Sequence, residues 1–251
     1  MESKRDKNKM KYAMGKASWC FISEDNVVKS YSSRNKKTVK PARGSLYDCW
    51  LREVICLERL QTKNNFPKLL GKSEKDLNLH LSNVGESLFH TWHEYNLKDY
   101  ISQVHNIADA LQEADIKYFY PGMDPKNPTG DYSKFPLSNF CIRDNVLCLI
   151  DFEMALPVNS KAHDRLSDRL SYLYDFHNAD NFRESLVLAM ENPKICYEQE
   201  LMAKLTDKDK FPLVKDNNPR KQWATMTMFT EPPPGVVKQW KTIKQEYNIN
   251  V

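Results

Sequence analysis

The chain has 251 residues, of which 41% are apolar and 28% charged, enough to bury a sizeable core as one large domain or two lobes of a soluble, globular protein. Its net charge of +4 is too small to argue for nucleic acid as a partner, and no apolar run approaches the ~18 residues that cross a bilayer. The charged start, "MESKRDKNKMK", has no apolar stretch behind it, so no secretory signal is expected.

In chain order, residues 1–10 read as disordered. The basic residues cluster in 1–16 and 29–43, either as solvated loops or as a patch facing phosphate or acid. "SWCFIS" (18–23) and "NVVKSYS" (26–32) predict two strands around the turn Glu24-Asp25, and 32–45 reads as a loop. "LYDCWLREVICLERLQ" (46–61) predicts a helix, and 66–82 a second hairpin turning near Lys75-Asp76. Gly85 breaks the chain. Tyr100, Ile101, Val104, Ile107, Ala108 and Leu111 recur at helical spacing and predict a long helix over 97–118. A tight hairpin follows, "FCI", turn "RDN", "VLCLI". Helices are expected to dominate from about 164 to 206, residues 216–237 read as a linker, and a polar helix closes the chain. The six cysteines (Cys20, Cys49, Cys56, Cys141, Cys148, Cys196) show no Cys-x-x-Cys spacing and sit mostly in apolar runs, so they read as reduced core residues of a cytoplasmic protein without a zinc site. The implied class is α+β: strands with one helix in a first lobe, 11–85, and a mainly helical second lobe, 86–215, with a cleft between them and a tail, 216–251.

Two anomalies point at the cleft. Glu53 lies on the same stripe of the 46–61 helix as Leu46, Trp50, Leu57 and Leu60. A carboxylate buried there needs a cation, and Lys29, after Val27-Val28, is the natural candidate. Alternatively, Glu53 sits at the edge of the stripe and reaches water. The second anomaly is that the apolar strand Val146 to Ile150 ends in Asp151, while Asn139 precedes its partner strand. Antiparallel pairing returns Asn139 beside Asp151, and an amide oxygen converging with a carboxylate suits Mg²⁺ that also carries phosphate. Ordinary turn chemistry accounts for the same two residues equally well.

Taken together and in order, these parts resemble the protein-kinase-like fold. "NVVKSY" is similar to the ATP-contacting strand, "LREVICLERL" to the helix with the partner glutamate, and "LHLSNVGESL" to the last strand and hinge. "LSNFCI" looks like the asparagine end of the catalytic loop, and "LIDFEMA" like the metal-binding motif in the form found in aminoglycoside and choline kinases and in compact viral or bacterial kinase-like proteins. The resemblance spans about 12–206. It implies that Lys29, oriented by Glu53, holds the phosphates of ATP, that the backbone of Ser82, Asn83, Val84 and Gly85 binds adenine, and that Asn139 and Asp151 bind Mg²⁺.

The sequence departs from the family in three places. The glycine-rich loop is reduced to Gly15 in "AMGKASW", with Lys16 beside it as a substitute for the lost backbone cradle. Five residues before Asn139, where the family has its aspartate base, stands Lys134. Asp131 and Asp124, in the Gly- and Pro-rich insertion 119–135, are the candidate replacements, Asp131 being nearer. The long peptide-binding segment after the metal motif is absent, and Asp164 or Asp168 is a candidate to brace the catalytic loop. The expected activity is transfer of the γ-phosphate of ATP to a hydroxyl acceptor, on a protein in the first instance or on a small molecule, with ATP and Mg²⁺ as cofactors. The alternatives are a pseudokinase that binds nucleotide or a partner without transfer, and an unrelated α+β binding protein.

Overall fold

The first half of the chain builds an antiparallel sheet around a central strand. The computed structural model describes residues 11–14, 18–31, 44–119, 132–165, 174 and 179–206. Five strands, β1 (Lys11–Met14), β2 (Trp19–Ile22), β3 (Asn26–Ser30), β4 (Leu69–Ser73) and β5 (Asn78–Ser82), form one sheet in the order β1-β2-β3-β5-β4. Every pairing in it is antiparallel. Strand β1 falls in a stretch too short and too basic to stand out by alternation. Val28, Lys29 and Ser30 of β3 are all buried, as a central strand covered on both faces requires.

Helix α1 (Leu46–Arg59) begins with a capping box: the Ser45 hydroxyl accepts the Asp48 N–H, and the Asp48 carboxylate accepts the Ser45 N–H at 2.8 Å. One face of α1 lies on the sheet, where Trp50 Nε1 donates to the Asn78 carbonyl at 3.1 Å. A second face carries Arg52 and Arg59, seven residues apart and so in line along the helix. Arg52 Nε donates to the Glu153 carbonyl at 2.7 Å. Arg59 reaches the carbonyls of Ala114 at 3.0 Å and Val158 at 2.8 Å, with those of Asp115 and Asn159 slightly further. Thus α1 is fixed both to the sheet and to the second half of the molecule.

The long helix expected over 97–118 is shorter than predicted. A 3-10 turn, Leu97–Tyr100, leads into α3 (Ile101–Glu113), after the short helix α2 (Leu88–Thr91). The chain leaves α3 at Asp115 (φ 51) and forms β7 (Ile116–Lys117). Periodicity overran because Ile116 and Tyr118 continue the apolar pattern; the helix stops where Arg59 takes the Ala114 carbonyl and a left-handed residue turns the chain. Val104, Ile107, Ala108 and Leu111 are buried as the spacing predicts. The strand pair β8 (Phe140–Arg143) and β9 (Val146–Leu149) is a two-residue hairpin, with Asp144 (φ 52) and Asn145 (φ 61) both left-handed, as a type I′ turn requires. Strand β6 (Glu86–Ser87) pairs with β8, and β10 (Leu156–Pro157) with β7.

Residues 161–165, where the helical run is expected to begin, form a turn, and helices are described at Ala179–Glu191 and Pro193–Thr206. Their buried residues, among them Phe182, Leu186, Met190 and Cys196, join one core with α1, α3 and the hairpin. Within it, Tyr118, Phe152 and Phe182 pack ring on ring at 5.4 and 5.8 Å. Five of the cysteines are buried, and Cys20 is half-buried. Among the described residues no helix is long and apolar enough to cross a membrane.

The architecture is α+β, a small antiparallel sheet with one long helix followed by a mainly helical half, consistent with a two-lobed kinase-like fold. The sequence expectations for 1–10, Gly15, Lys16, the 32–43 loop, Asp124, Asp131, Asp168 and the 216–251 tail lie outside the described residues.

Candidate functional site

Lys29 is the centre of the site. Its Nζ lies 2.6 Å from Glu53 Oε2 and 2.8 Å from Asp151 Oδ1, so one ammonium joins the sheet, α1 and the end of the β8–β9 hairpin. Lys29 and Glu53 are buried, whereas the Asp151 side chain is 39% exposed. Burial works to neutralise Lys29, but the Asp151 and Glu53 carboxylates outweigh it and hold its pKa well above the ordinary value. Burial also raises Glu53, and Lys29 opposes that rise. Glu53 has a second donor: the Tyr31 hydroxyl bonds the same Oε2. Burial and the neighbouring Glu53 push the Tyr31 phenol well above its usual pKa, so it stays a donor.

Asp151 follows β9 in the left-handed region, at φ 67. That costs a non-glycine residue on the order of 1 kcal/mol, and strain of this kind gathers at functional positions. Phe152, fully buried beside it, anchors the turn against Phe66 and Tyr118. Asn139 is brought back to this point as the hairpin predicts: its carbonyl accepts the Ile150 N–H at 2.8 Å. Its side chain does not bond Asp151 directly. Asn139 Nδ2 donates to the Tyr118 hydroxyl at 2.8 Å, and that hydroxyl donates to the Ile150 carbonyl at 2.9 Å, with the Asp151 carbonyl at 3.2 Å. With the amide nitrogen committed, Asn139 offers its oxygen. An amide oxygen and a carboxylate are the hard donors that Mg²⁺ takes alongside phosphate and water. The residues therefore fit the ion, and among the described residues no group of three or more His, Cys, Asp or Glu is placed to hold a metal.

The Ser82–Gly85 segment is held mostly by bonds to neighbouring segments. The Asn83 N–H donates to the Asp25 carbonyl at 2.8 Å, its side chain spans Ser23 and Gly85, and Arg143 donates to the Asn83 carbonyl at 3.0 Å. Val84 alone of the four makes no hydrogen bond among the described residues. Gly85 (φ +102) passes so close to β8 that a Cβ there would meet the Ile142 carbonyl oxygen at 2.1 Å. Lys134 ends a 3-10 turn, Tyr132–Lys134, and is exposed. Asp164 lies in the turn after Ser160, whose carbonyl its N–H bonds at 3.0 Å.

Sequence reasoning missed Tyr31, Arg52, Arg59 and Tyr118. Tyr31 had a usable signal, since it lies two residues after Lys29 and so on the same strand face.

No family model matches the sequence, and no curated protein matches it. Among solved structures the chain is similar to monomeric WbdD, with a TM-score of 0.42 and 14% identity over 69% of this chain and 44% of that one. It is also similar to WbdD co-crystallised with the kinase inhibitor LY294002, with a TM-score of 0.43 and 13% identity over 86% of this chain and 49% of that one. The chain spans less than half the length of these WbdD chains.

Proposed function

We propose that the chain is an ATP-dependent kinase of the cytoplasm that transfers the γ-phosphoryl group to a hydroxyl acceptor, on a protein or on a small molecule. The observation that carries this reading is Lys29 bonded at once to Glu53, 2.6 Å away, and to Asp151, 2.8 Å away, across the two halves of the fold. A buried ammonium kept charged by carboxylates from two elements is suited to hold nucleotide phosphates, with Glu53 and Tyr31 fixing its position. Residues 11–85 would form the nucleotide-binding lobe and 86–215 the acceptor lobe, with 216–251 as a tail. The Val84 backbone, which makes no hydrogen bond among the described residues, is the hinge group best suited to adenine. Asn139 and Asp151 would hold Mg²⁺, which supplies charge neutralisation at the phosphates. In the transfer the acceptor oxygen forms a bond to the γ-phosphorus, the bond to the β–γ bridging oxygen breaks, and ADP leaves. The acceptor's proton passes to a carboxylate of the 119–135 insertion, Asp131 or Asp124.

A second reading, a pseudokinase that binds nucleotide without transfer, is favoured by Lys134, an exposed cation where the family has its base. The experiment that separates the two is a pair of assays on the full chain. One is a thermal shift with ATP and Mg²⁺, and the other is release of labelled γ-phosphate to serine, threonine and sugar hydroxyl acceptors. Stabilisation with transfer supports the kinase. Stabilisation without transfer to any acceptor supports the pseudokinase, and no stabilisation removes both.

A further inference from the structure

Resting on the reading that Asn139 contributes a metal-facing oxygen, we propose that Tyr118 is a positioning residue that fixes which end of the Asn139 amide is offered to a divalent cation.

The Tyr118 hydroxyl has one proton. That proton is spent on the Ile150 carbonyl, 2.9 Å away, with the Asp151 carbonyl at 3.2 Å. Both carbonyls are pure acceptors, so neither can return a proton. The phenolic oxygen therefore faces Asn139 with a lone pair, and only an N–H can meet it favourably. Asn139 Nδ2 does so at 2.8 Å. Were the amide flipped, its oxygen would face the phenolic oxygen with no proton between them. Tyr118 is 1% exposed, so water is poorly placed to replace the lost bond.

The consequence reaches both candidate metal residues. The same hydroxyl that orients the Asn139 amide is held by the carbonyl just before Asp151, so the hydroxyl links the two sides of the site through one oxygen. An amide is ambiguous by itself, since nitrogen and oxygen are nearly the same size and only the oxygen ligates a hard cation. A carboxylate has no such ambiguity. This difference supplies the test. Outer partners that orient a metal ligand are typically worth about tenfold or more in metal affinity.

The test uses the full chain, and its readout is ATP affinity measured by calorimetry with Mg²⁺ and again with EDTA. The ratio of the two affinities isolates the cation's contribution. Tyr118→Phe keeps the ring that packs on Phe152 and Phe182 and removes only the hydroxyl; it is expected to lower the ratio about tenfold. In an Asn139→Asp background, where either orientation presents oxygen, Tyr118→Phe is expected to lower the ratio no further. A Tyr118→Phe ratio equal to wild type, or an equal loss in both backgrounds, overturns the proposal. A measurement that needs no variant is the wild-type NMR spectrum, in which the Asn139 side-chain N–H protons should show a contact to the Tyr118 ring; its absence also overturns the proposal. Wild type lacking any Mg²⁺-dependent gain removes the metal reading itself, a result distinct from a wild-type gain that Tyr118→Phe leaves intact.

Discussion

The two halves of the candidate site are built in opposite ways. Lys29 and Glu53 are sunk between a central strand and a helix, with side-chain exposures of 7% and 2%, and each compensates the other's burial. Asp151 and Asn139 lie nearer solvent, held by backbone bonds, a left-handed turn and the Tyr118 hydroxyl, with Asp151 39% exposed and Asn139 half-buried. Removing a partner from the first half should therefore damage the fold. Removing a charge from the second should damage chemistry and leave the fold standing.

The sharpest way to break this contrast is Lys29→Met. Among the described residues it leaves buried Glu53 with Tyr31 as its one donor, and loss of one partner of a buried pair costs about 3 kcal/mol or more. Urea denaturation of wild type and variant measures it; a loss under 1 kcal/mol would show that the pair is solvated. Next in size is Arg59→Ala, which strips two close carbonyl contacts, to Ala114 and Val158, and two longer ones, and thereby loosens α1 from the second half. The expected cost is about 2 kcal/mol by the same measurement, with hydrogen exchange rising at the C-terminal end of α3.

The smallest expected stability effect is at the α1 cap and is pH-dependent. Burial alone would raise Asp48, but bonds from Ser45 and then Arg165 outweigh it and hold its pKa below the usual 3.8. A depressed folded-state pKa means that its contribution is fully present above 3.8 and is lost as pH falls through the lower folded value. Asp48→Ala should cost about 1 kcal/mol at neutral pH, and the difference from wild type should vanish in the acid limb. A difference that stays constant down to the lowest folded pH would assign the effect to packing.

The legibility of the two halves differed too. Glu53 stood out because a charged residue interrupted an apolar stripe, and Asp151 because a short apolar run ended in a carboxylate. Both signals are local in sequence. The residues that hold these groups in place are not local. Arg52 meets the Glu153 carbonyl 101 residues away, Arg59 reaches Val158 99 residues away, and Tyr118 reaches the Ile150 carbonyl 32 residues on. No periodicity reports such contacts. Another Arg59 bond, to the Ala114 carbonyl 55 residues away, marks where α3 ends short of the expected 97–118 helix: the apolar pattern runs on through Ile116 while the backbone turns at Asp115. The hairpin was legible in place and pairing because its flanking runs are apolar, but its turn is Asp144-Asn145 alone, Arg143 pairing with Val146 as the last residue of β8 rather than joining the turn.

The central claim is that Asp151 serves a phosphate-bearing cation and not the fold. The most direct measurement is ATP affinity with and without Mg²⁺ for Asp151→Asn, alongside urea denaturation. Asparagine tolerates φ 67 as aspartate does, so the backbone is preserved, and the exposed end of the Lys29 pair contributes about 1 kcal/mol at most. The account predicts a folded variant whose stability stays within that margin and whose Mg²⁺-dependent gain in ATP affinity is gone. A folded Asp151→Asn that keeps the full wild-type Mg²⁺-dependent gain would contradict it.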